Sequence, residues 1–369
     1  MTHLLVEKVR RILETTSWEV IPSGLSTITR PEFARASFID DSLWLKVDQV
    51  DIWHRLEDIP ADLKASVITI GVFDGVHRGH RTLVAAATDR AQALGVPSVL
   101  VTFNPHPLSV LRPDKMPPLL GTVNQRADLA ESLGVDHMFA MNFTAELSHL
   151  SPEEFFCSVI KDKLNAQAIV VGKNFTFGYK AAGTTDTLKA LGEKYGVEIY
   201  VLDLLTENGD VVSSTAIRSD LLEGNIRRAN WGLGREFSVH GDVVRGAGRG
   251  GKELGFPTAN LYFPDSIALP EDGVYAGWLT VTSSAPIDGD MVRGVRYPAA
   301  ISVGHNPTFG DKRRSVESFV LDRHADLYGH SIVVEFVDRI RPMVKFDGID
   351  ELLVAIENDV TQTRAILHI

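Results

Sequence analysis

At 369 residues the chain is long enough for two domains with cores of their own, and 44% hydrophobic with 23% charged residues is an ordinary globular composition. Its 37 basic and 48 acidic residues leave a net charge of −11 without a dense Lys/Arg tract, which argues against a general binder of nucleic acid or anionic membranes. A single cysteine, Cys157, excludes an intramolecular disulfide and a cysteine-cluster metal site and suits a core position; with no apolar run of membrane-spanning length and no signal-peptide core, a cytoplasmic location is expected.

In residues 1–50, Leu5, Val9, Ile12 and Leu13 stand at helical spacing, but Pro22, Gly24 and Pro31 interrupt any regular element. A weakly anchored extension is expected there, and Glu7 and Glu14 count against an acid-poor targeting peptide. The next stretch, 67–80, reads VITIGVFDGVHRGH. Val67, Ile68, Ile70 and Val72 predict a buried strand, Gly71 and Gly75 a tight turn, and Leu83, Val84, Ala87, Ala91 and Leu94 one face of a helix that Gly95 closes. The turn therefore points at a helix N-terminus, where orphan N–H groups and the macrodipole welcome an anion, and His77, Gly79 and His80 put two imidazoles and a bare backbone beside it. Neither the P-loop pattern nor G-x-G-x-x-G is present, and H-x-G-H after a strand and a glycine turn resembles the signature of the nucleotidyltransferase superfamily.

Up to about Gly234, strand-like and helix-like runs alternate: strands at 98–103, 137–143, 168–172 and 198–205, helices at 123–133, 151–164, 185–195 and 214–223. Ser151-Pro152-Glu153-Glu154 supplies an N-cap, a proline at the first helical position and a capping-box glutamate. The alternation predicts a doubly wound parallel sheet, an α/β lobe whose ligands bind at the carboxyl ends of the strands. Three further strand ends carry unusual residues: Asn104-Pro105-His106-Pro107, a proline-stiffened extended loop; Asn174, Phe175 and Phe177 within 172–178; and Ser213-Ser214-Thr215-Ala216-Ile217-Arg218, with Arg218 placed to grip a phosphate. Each group singly also suits a structural role, as cap, core or surface. Their meeting at the ends of strands in one sheet favours a common crevice.

After Gly234 the pattern changes to alternating runs at 237–244, 273–281, 299–303, 315–321 and 332–337, separated by turns. A small antiparallel β-barrel is expected, with a terminal amphipathic helix carrying Ile349, Leu352, Leu353, Ile356, Val360 and Leu367 on one face, and a domain boundary near Arg235. The predicted organisation is thus an extension at 1–50, an α/β domain at 51–234 and a β-domain at 235–369. The glycines and basic residues of 245–252 make a backbone nest for phosphate oxygens, and Thr258 and Asn260 in Pro257-Thr258-Ala259-Asn260 offer hard oxygen ligands suited to Mg2+. Glu317, between Val316 and Phe319, is either an outward strand residue or a general base.

HRGH at 77–80, NPHP at 104–107, GKNFTFG at 172–178, SSTAIR at 213–218, GRGGKELGFPTAN at 248–260 and RSVESF at 314–319 together resemble the bacterial bifunctional riboflavin kinase and FMN adenylyltransferase, often called FAD synthetase. The resemblance runs from about Asp51 to the C-terminus. It implies a C-terminal lobe that phosphorylates riboflavin to FMN with ATP and Mg2+. There Glu317 is the catalytic base, Gly246, Gly248, Gly251, Lys252, Gly255 and Thr258 bind ATP, and Thr258 and Asn260 hold the metal. It also implies an N-terminal lobe of nucleotidyltransferase-like Rossmann fold that adenylylates FMN to FAD and releases pyrophosphate. Here His77 and His80 are catalytic, Gly71, Phe73, Asp74, Gly79, Asn174, Ser213, Ser214, Thr215 and Arg218 bind ATP, and Asn104, Pro105, His106, Phe175 and Phe177 bind the flavin. Small molecules are then the partners, without nucleic acid or membrane, and the chain is a monomer or a weak homo-oligomer.

Two departures stand out. Many family members carry Arg two residues before Ser-Ser-Thr, where this chain has Val211. Relatives also tend to begin near Asp51, so a native start at Val50, from a valine codon read as Met, is expected; a peptide containing 4–9 in protein from its own cells refutes it. The alternatives are a nucleotidyl transferase for another acceptor, such as phosphopantetheine or nicotinate mononucleotide, and a flavin-binding scaffold without catalysis. The flavokinase-like lobe argues against the first, and the retained Glu317, Thr258, Asn260, His77 and His80 against the second.

Overall fold

Two sheets organise the chain in the computed structural model, which describes residues 50–207, 209–245, 256–305 and 314–369; the expected extension, apart from Val50, lies outside the described residues. Asp51–Trp53 (β1), Ser66–Ile70 (β2), Ser98–Phe103 (β3), His137–Met141 (β4), Ala166–Gly172 (β5) and Glu198–Leu202 (β6) form a wholly parallel sheet in the order β1-β4-β3-β2-β5-β6. Between them run the helices Arg78–Leu94 (α1), Pro107–Leu111 (α2), Val123–Ser132 (α3), Ala145–Ser148 (α4), Pro152–Phe155 (α5) and Thr185–Tyr195 (α6). Helices cover both faces of the sheet, so every residue of β2 is buried. Ala87 and Ala91 of α1 are small enough to lie against Val67, Ala168 and Val170 on one face, while Ile68, Val101, Phe139 and Ile169 fill the other.

The strand order reverses at β2. Its successors β3 and β4 lie on one side and β5 and β6 on the other, so a crevice opens between the carboxyl ends of β2 and β5. Several local expectations shift. Strand β4 stops at Met141, short of Phe143, and the helix expected over 151–164 continues beyond α5 as the π-helical turn Phe156–Lys161. His106 caps α2 by accepting from the Leu108 N–H at 3.1 Å, so the expected extended loop becomes a helix start. Val211 lies outside the main sheet, in a hairpin of Thr206–Glu207 (β7) and Asp210–Val211 (β8), and Cys157 is half-buried rather than core.

Ser214–Leu222 (α7) and Ile226–Leu233 (α8) lead into the second sheet. Phe237–Asp242 (β9), Ala259–Phe263 (β10), Gly273–Val281 (β11), Arg296–His305 (β13), Arg314–Val320 (β14) and Ser331–Pro342 (β16) pair antiparallel in the order β10-β14-β13-β11-β16-β9; Asp288–Gly289 (β12) and Ala325–Asp326 (β15) form a small hairpin beside them. A bridge between Val244 and Asn260 joins the two outer strands, so the sheet nearly closes into a barrel. Ile217, Leu221, Ile226, Ala229 and Leu233 of α7 and α8 share a core with Val239, Leu261, Tyr275 and Phe336 of the barrel, and Leu119 bridges Ile267. The terminal helix Ile349–Leu367 (α9) packs on the barrel, but its buried positions are Asp359 and Thr363, and Ile349 is exposed. Asp359 is taken out of water because Arg341 of β16 grips both its oxygens, at 2.8 and 2.7 Å, a partner no helical periodicity reveals.

Candidate active site

A cavity of about 1230 Å³ occupies the crevice between β2 and β5, room for more than one drug-sized ligand. Gly71 and Phe73 after β2, His77, Gly79 and His80 at the start of α1, Asn174, Phe175 and Phe177 after β5, and Ser213 before α7 all line it. His77 is the N-cap of α1: its Nδ1 accepts from the His80 N–H at 3.3 Å, which leaves the ring proton on Nε2. The two imidazoles stack with centroids 3.6 Å apart, and His80 sits edge-on to Phe73. A Cβ on Gly79 would stand 3.2 Å from the His77 ring, so a bare backbone is what lets the pair approach. Burial, and then the Arg235 charge, push the His77 pKa down to about 4; burial, His77 and Arg126 hold His80 well below its usual value. Both rings are therefore neutral at physiological pH, each with one N–H to donate rather than a full charge. Among the described residues the buried Nδ1 of His80 has no hydrogen-bond partner.

Phe175 and Phe177 stack with their centroids 5.6 Å apart, offering an aromatic wall. Asn104, Pro105 and His106 do not line the cavity; Phe103, Pro107 and Leu108 of the same segment do. Arg218 lies outside the cavity lining. Its guanidinium pairs with Asp74, which is 2% exposed, and its Nε donates to the Pro118 carbonyl at 2.6 Å. The Leu120 N–H donates to both Asp74 oxygens at 3.0 and 3.1 Å, and the Ser214 hydroxyl to the Asp74 carbonyl at 2.9 Å. Asp74, Ser214 and Arg218 therefore form a strut that fastens the turn to α7, outside the cavity lining, and Thr215 is exposed. Ser213 caps α7 through the Ala216 N–H.

Sequence reasoning missed Arg126, 4% exposed behind the crevice, which donates to the Val72 carbonyl at 3.0 Å and the Thr102 hydroxyl at 2.8 Å. A signal existed: Arg126 lies at helical spacing from Val123, Ala130 and Leu133, a charge on an apolar stripe. Cations on the cavity wall come from Arg112, Lys115 and Lys180, while Val211 presents an apolar side chain there, 43% exposed.

The second centre lies on the outer face of the barrel. Register pairs Glu317 with Asn260 of β10 on one side and Ser302 of β13 on the other, which puts the three side chains in a row. Burial raises the Glu317 pKa, and the Ser315 hydroxyl donates to it at 3.3 Å. Asn260 is 5% exposed, and its amide nitrogen donates to the Thr258 carbonyl at 2.9 Å and reaches the Thr258 hydroxyl at 3.4 Å, leaving the amide oxygen out of that contact. Neutral hard oxygens from Asn260 and Thr258 fit a Mg2+ that keeps waters and shares nucleotide phosphates. The described residues hold no cluster of three His, Cys, Asp or Glu suited to a metal. Gly246, Gly248, Gly251, Lys252 and Gly255 lie outside the described residues.

Fold and site define a two-lobed transferase: a doubly wound domain with an anion-ready crevice, followed by a barrel that half-buries a carboxylate beside metal-suited oxygens. Residues 59–216 match the family model for FAD synthetase and residues 233–367 that for riboflavin kinase. The bifunctional riboflavin kinase/FMN adenylyltransferase of Bacillus subtilis is 35% identical over 315 residues, covering 84% of this chain and 95% of that protein. Its counterpart from Listeria monocytogenes is 33% identical over 302 residues, covering 81% and 91%. A crystal structure from Streptococcus pneumoniae, described as a macrolide-efflux protein, superposes with a TM-score of 0.74 at 32% identity, covering 85% of this chain and 98% of that one. The chain belongs to the bifunctional riboflavin kinase/FMN adenylyltransferases. No helix among the described residues is long and apolar enough to cross a membrane.

Proposed function

We propose that the chain carries out two successive reactions on flavin, phosphorylating riboflavin to FMN in the barrel and adenylylating FMN to FAD in the α/β lobe. The observation that carries this reading is the pairing, in one chain, of a nucleotide-sized crevice on a helix N-terminus with a half-buried carboxylate beside Asn260. In the barrel, Glu317 takes the proton of the ribityl hydroxyl as that oxygen bonds to the γ-phosphorus of ATP and the bond to the β-bridging oxygen breaks, releasing ADP. Thr258 and Asn260 would hold a Mg2+, whose charge would neutralise that of the phosphates. Gly246, Gly248, Gly251, Lys252 and Gly255 cradle those phosphates by resemblance.

In the α/β lobe, a phosphate oxygen of FMN bonds to the α-phosphorus of a second ATP, the bond to the bridging oxygen breaks, and pyrophosphate leaves without a covalent enzyme intermediate. His77 and His80 donate from neutral rings to the oxygens that gain charge, and the N–H groups at the α1 terminus add to them. Gly71, Phe73, Gly79, Asn174 and Ser213 border the nucleotide, Asp74, Ser214 and Arg218 hold its floor from behind, and the exposed Thr215 in the first turn of α7 is a further nucleotide contact by resemblance. Phe175 and Phe177 take the isoalloxazine ring, and Asn104, Pro105 and His106 shape its wall by setting the start of α2. The enzyme works in the cytoplasm as a monomer or weak homo-oligomer on small molecules alone.

The test is a time course with riboflavin, ATP and Mg2+, the flavins being separated at intervals. FMN followed by FAD supports both assignments. FMN without FAD refutes the assignment of the α/β lobe, and no phosphorylated flavin refutes the whole reading.

A further inference from the structure

The junction between the lobes contains a clasp centred on Arg235, a residue that none of the motifs includes. Helix α8 ends at Gly234, whose carbonyl accepts from Arg81 of α1 at 3.3 Å, and Arg78 of α1 lies over the Trp231 ring at 5.0 Å. The next residue, Arg235, reaches back across the same helix end. Its guanidinium donates to the Gly75 carbonyl at 2.8 Å and the Val76 carbonyl at 3.4 Å, the two residues that precede the N-cap His77. Asn230 ties the other side of the junction to the barrel, donating to the Phe336 carbonyl at 2.7 Å and accepting from the Phe237 N–H at 2.7 Å.

This contact has a directional consequence. In a planar trans peptide the C=O and the following N–H point opposite ways, so a guanidinium that holds the Gly75 and Val76 carbonyls also sets where the Val76 and His77 N–H groups aim. The turn needs such a hold. Gly75 at φ +79° and Val76 at φ +38° both lie in the left-handed region, costly for a β-branched residue, and persist only where neighbours over-determine them. A charged donor in a half-buried place, gripping two main-chain carbonyls, is that neighbour.

We infer that Arg235, which follows the Gly234 cap of α8, is a positioning residue for adenylyl transfer, holding the turn before His77 so that the α1 terminus and the two imidazoles face the reacting phosphates. The inference rests on the adenylyl-transfer reading of the α/β lobe. Arg235 also carries its charge toward His77. The groups facing that imidazole are His80, stacked on the same helix, and Arg235 from the linker, with Arg126 of α3 acting beyond on His80.

The full chain carries its own control, because riboflavin phosphorylation reports on the barrel and FMN adenylylation on the α/β lobe of the same preparation. In Arg235→Met, adenylylation is expected to lose about tenfold or more in kcat while phosphorylation stays within about twofold. The acid limb of its adenylylation profile is expected to move to higher pH, since the charge that disfavours the His77 imidazolium is gone. Arg235→Lys keeps the charge but not the two-pronged donor, so it should lose rate while keeping the wild-type acid limb. Adenylylation equal to wild type in Arg235→Met, with FAD formed by both, overturns the inference and spares the functional reading. Parallel loss of both activities, or a pH profile unmoved in Arg235→Met, also overturns it, making Arg235 merely structural. Absence of FAD from the wild-type enzyme itself removes the reading on which the inference stands.

Discussion

Replacing Glu317 with glutamine should separate catalysis from folding in the barrel. The carboxylate sits in a row between Asn260 and Ser302, half-buried, and among the described residues the Ser315 hydroxyl, at 3.3 Å, donates to it. Glutamine has the same shape and still accepts from Ser315, but it cannot take a proton. If Glu317 is the base, phosphorylation should fall about a hundredfold to ten-thousandfold, or about 3–5 kcal/mol of barrel-lobe transition-state stabilisation. Stability should move the other way. Burial raises the folded-state pKa of Glu317, so its contribution is favourable below the unfolded carboxyl pKa and is lost as pH rises through the folded value; at neutral pH the charged form opposes folding. Glu317→Gln removes that cost, and the melting temperature should rise or hold. The assays are initial rates of FMN formation from riboflavin, FAD formation from supplied FMN, and thermal unfolding at pH 7. Phosphorylation within about threefold of wild type refutes the base assignment, and a clear fall in melting temperature refutes the electrostatic argument.

His80→Ala should slow FAD formation about a hundredfold, the scale of one lost electrostatic contact of roughly 3 kcal/mol, and leave riboflavin phosphorylation unchanged; equal rates of FAD formation count against the role of the imidazole. Asp74→Ala strands the Arg218 guanidinium and the Leu120 N–H, so the protein should lose about 3–5 kcal/mol by chemical denaturation, and an unchanged midpoint means the strut carries no weight. Val211→Arg puts a cation on the wall of the crevice, and the KM of adenylylation for ATP or FMN should drop about tenfold. If neither KM moves, the phosphate contact made by the family arginine is supplied elsewhere in this chain.

The parts of the fold written in neighbouring residues were legible. The helix Thr185–Tyr195 and strands such as Gly273–Val281 follow the hydrophobic period, and Ser151, Glu154, His77 and Gly95 sit at helix ends as their chemistry requires. Helix α8 was missed because Gly232 and Asn230 interrupt a short amphipathic pattern, and its stability comes from Ile226, Ala229 and Leu233 packing into the barrel core. Strand β10 is absent from the alternating runs of the sequence; what makes Ala259–Phe263 a strand is pairing with β14 and the Val244 bridge.

For the site, the sequence by itself determined the chemical inventory: two histidines at a helix start, an aromatic pair after β5, hydroxyls before α7, and a carboxylate in an alternating strand. It did so because a cap, a turn and a strand end are local, set by residues within a few positions of one another. Only the tertiary structure decided how the charges are spent. Arg218 faces Asp74, 144 positions away, rather than the crevice, and Arg126 lies buried behind it. Arg235 spans 160 positions to the Gly75 carbonyl, and both imidazoles are neutral. A long cation can meet a distant carboxylate, a carbonyl or a phosphate equally well, and which it meets depends on the packing of elements far apart in the chain. That partner, more than the residue type, fixes its role.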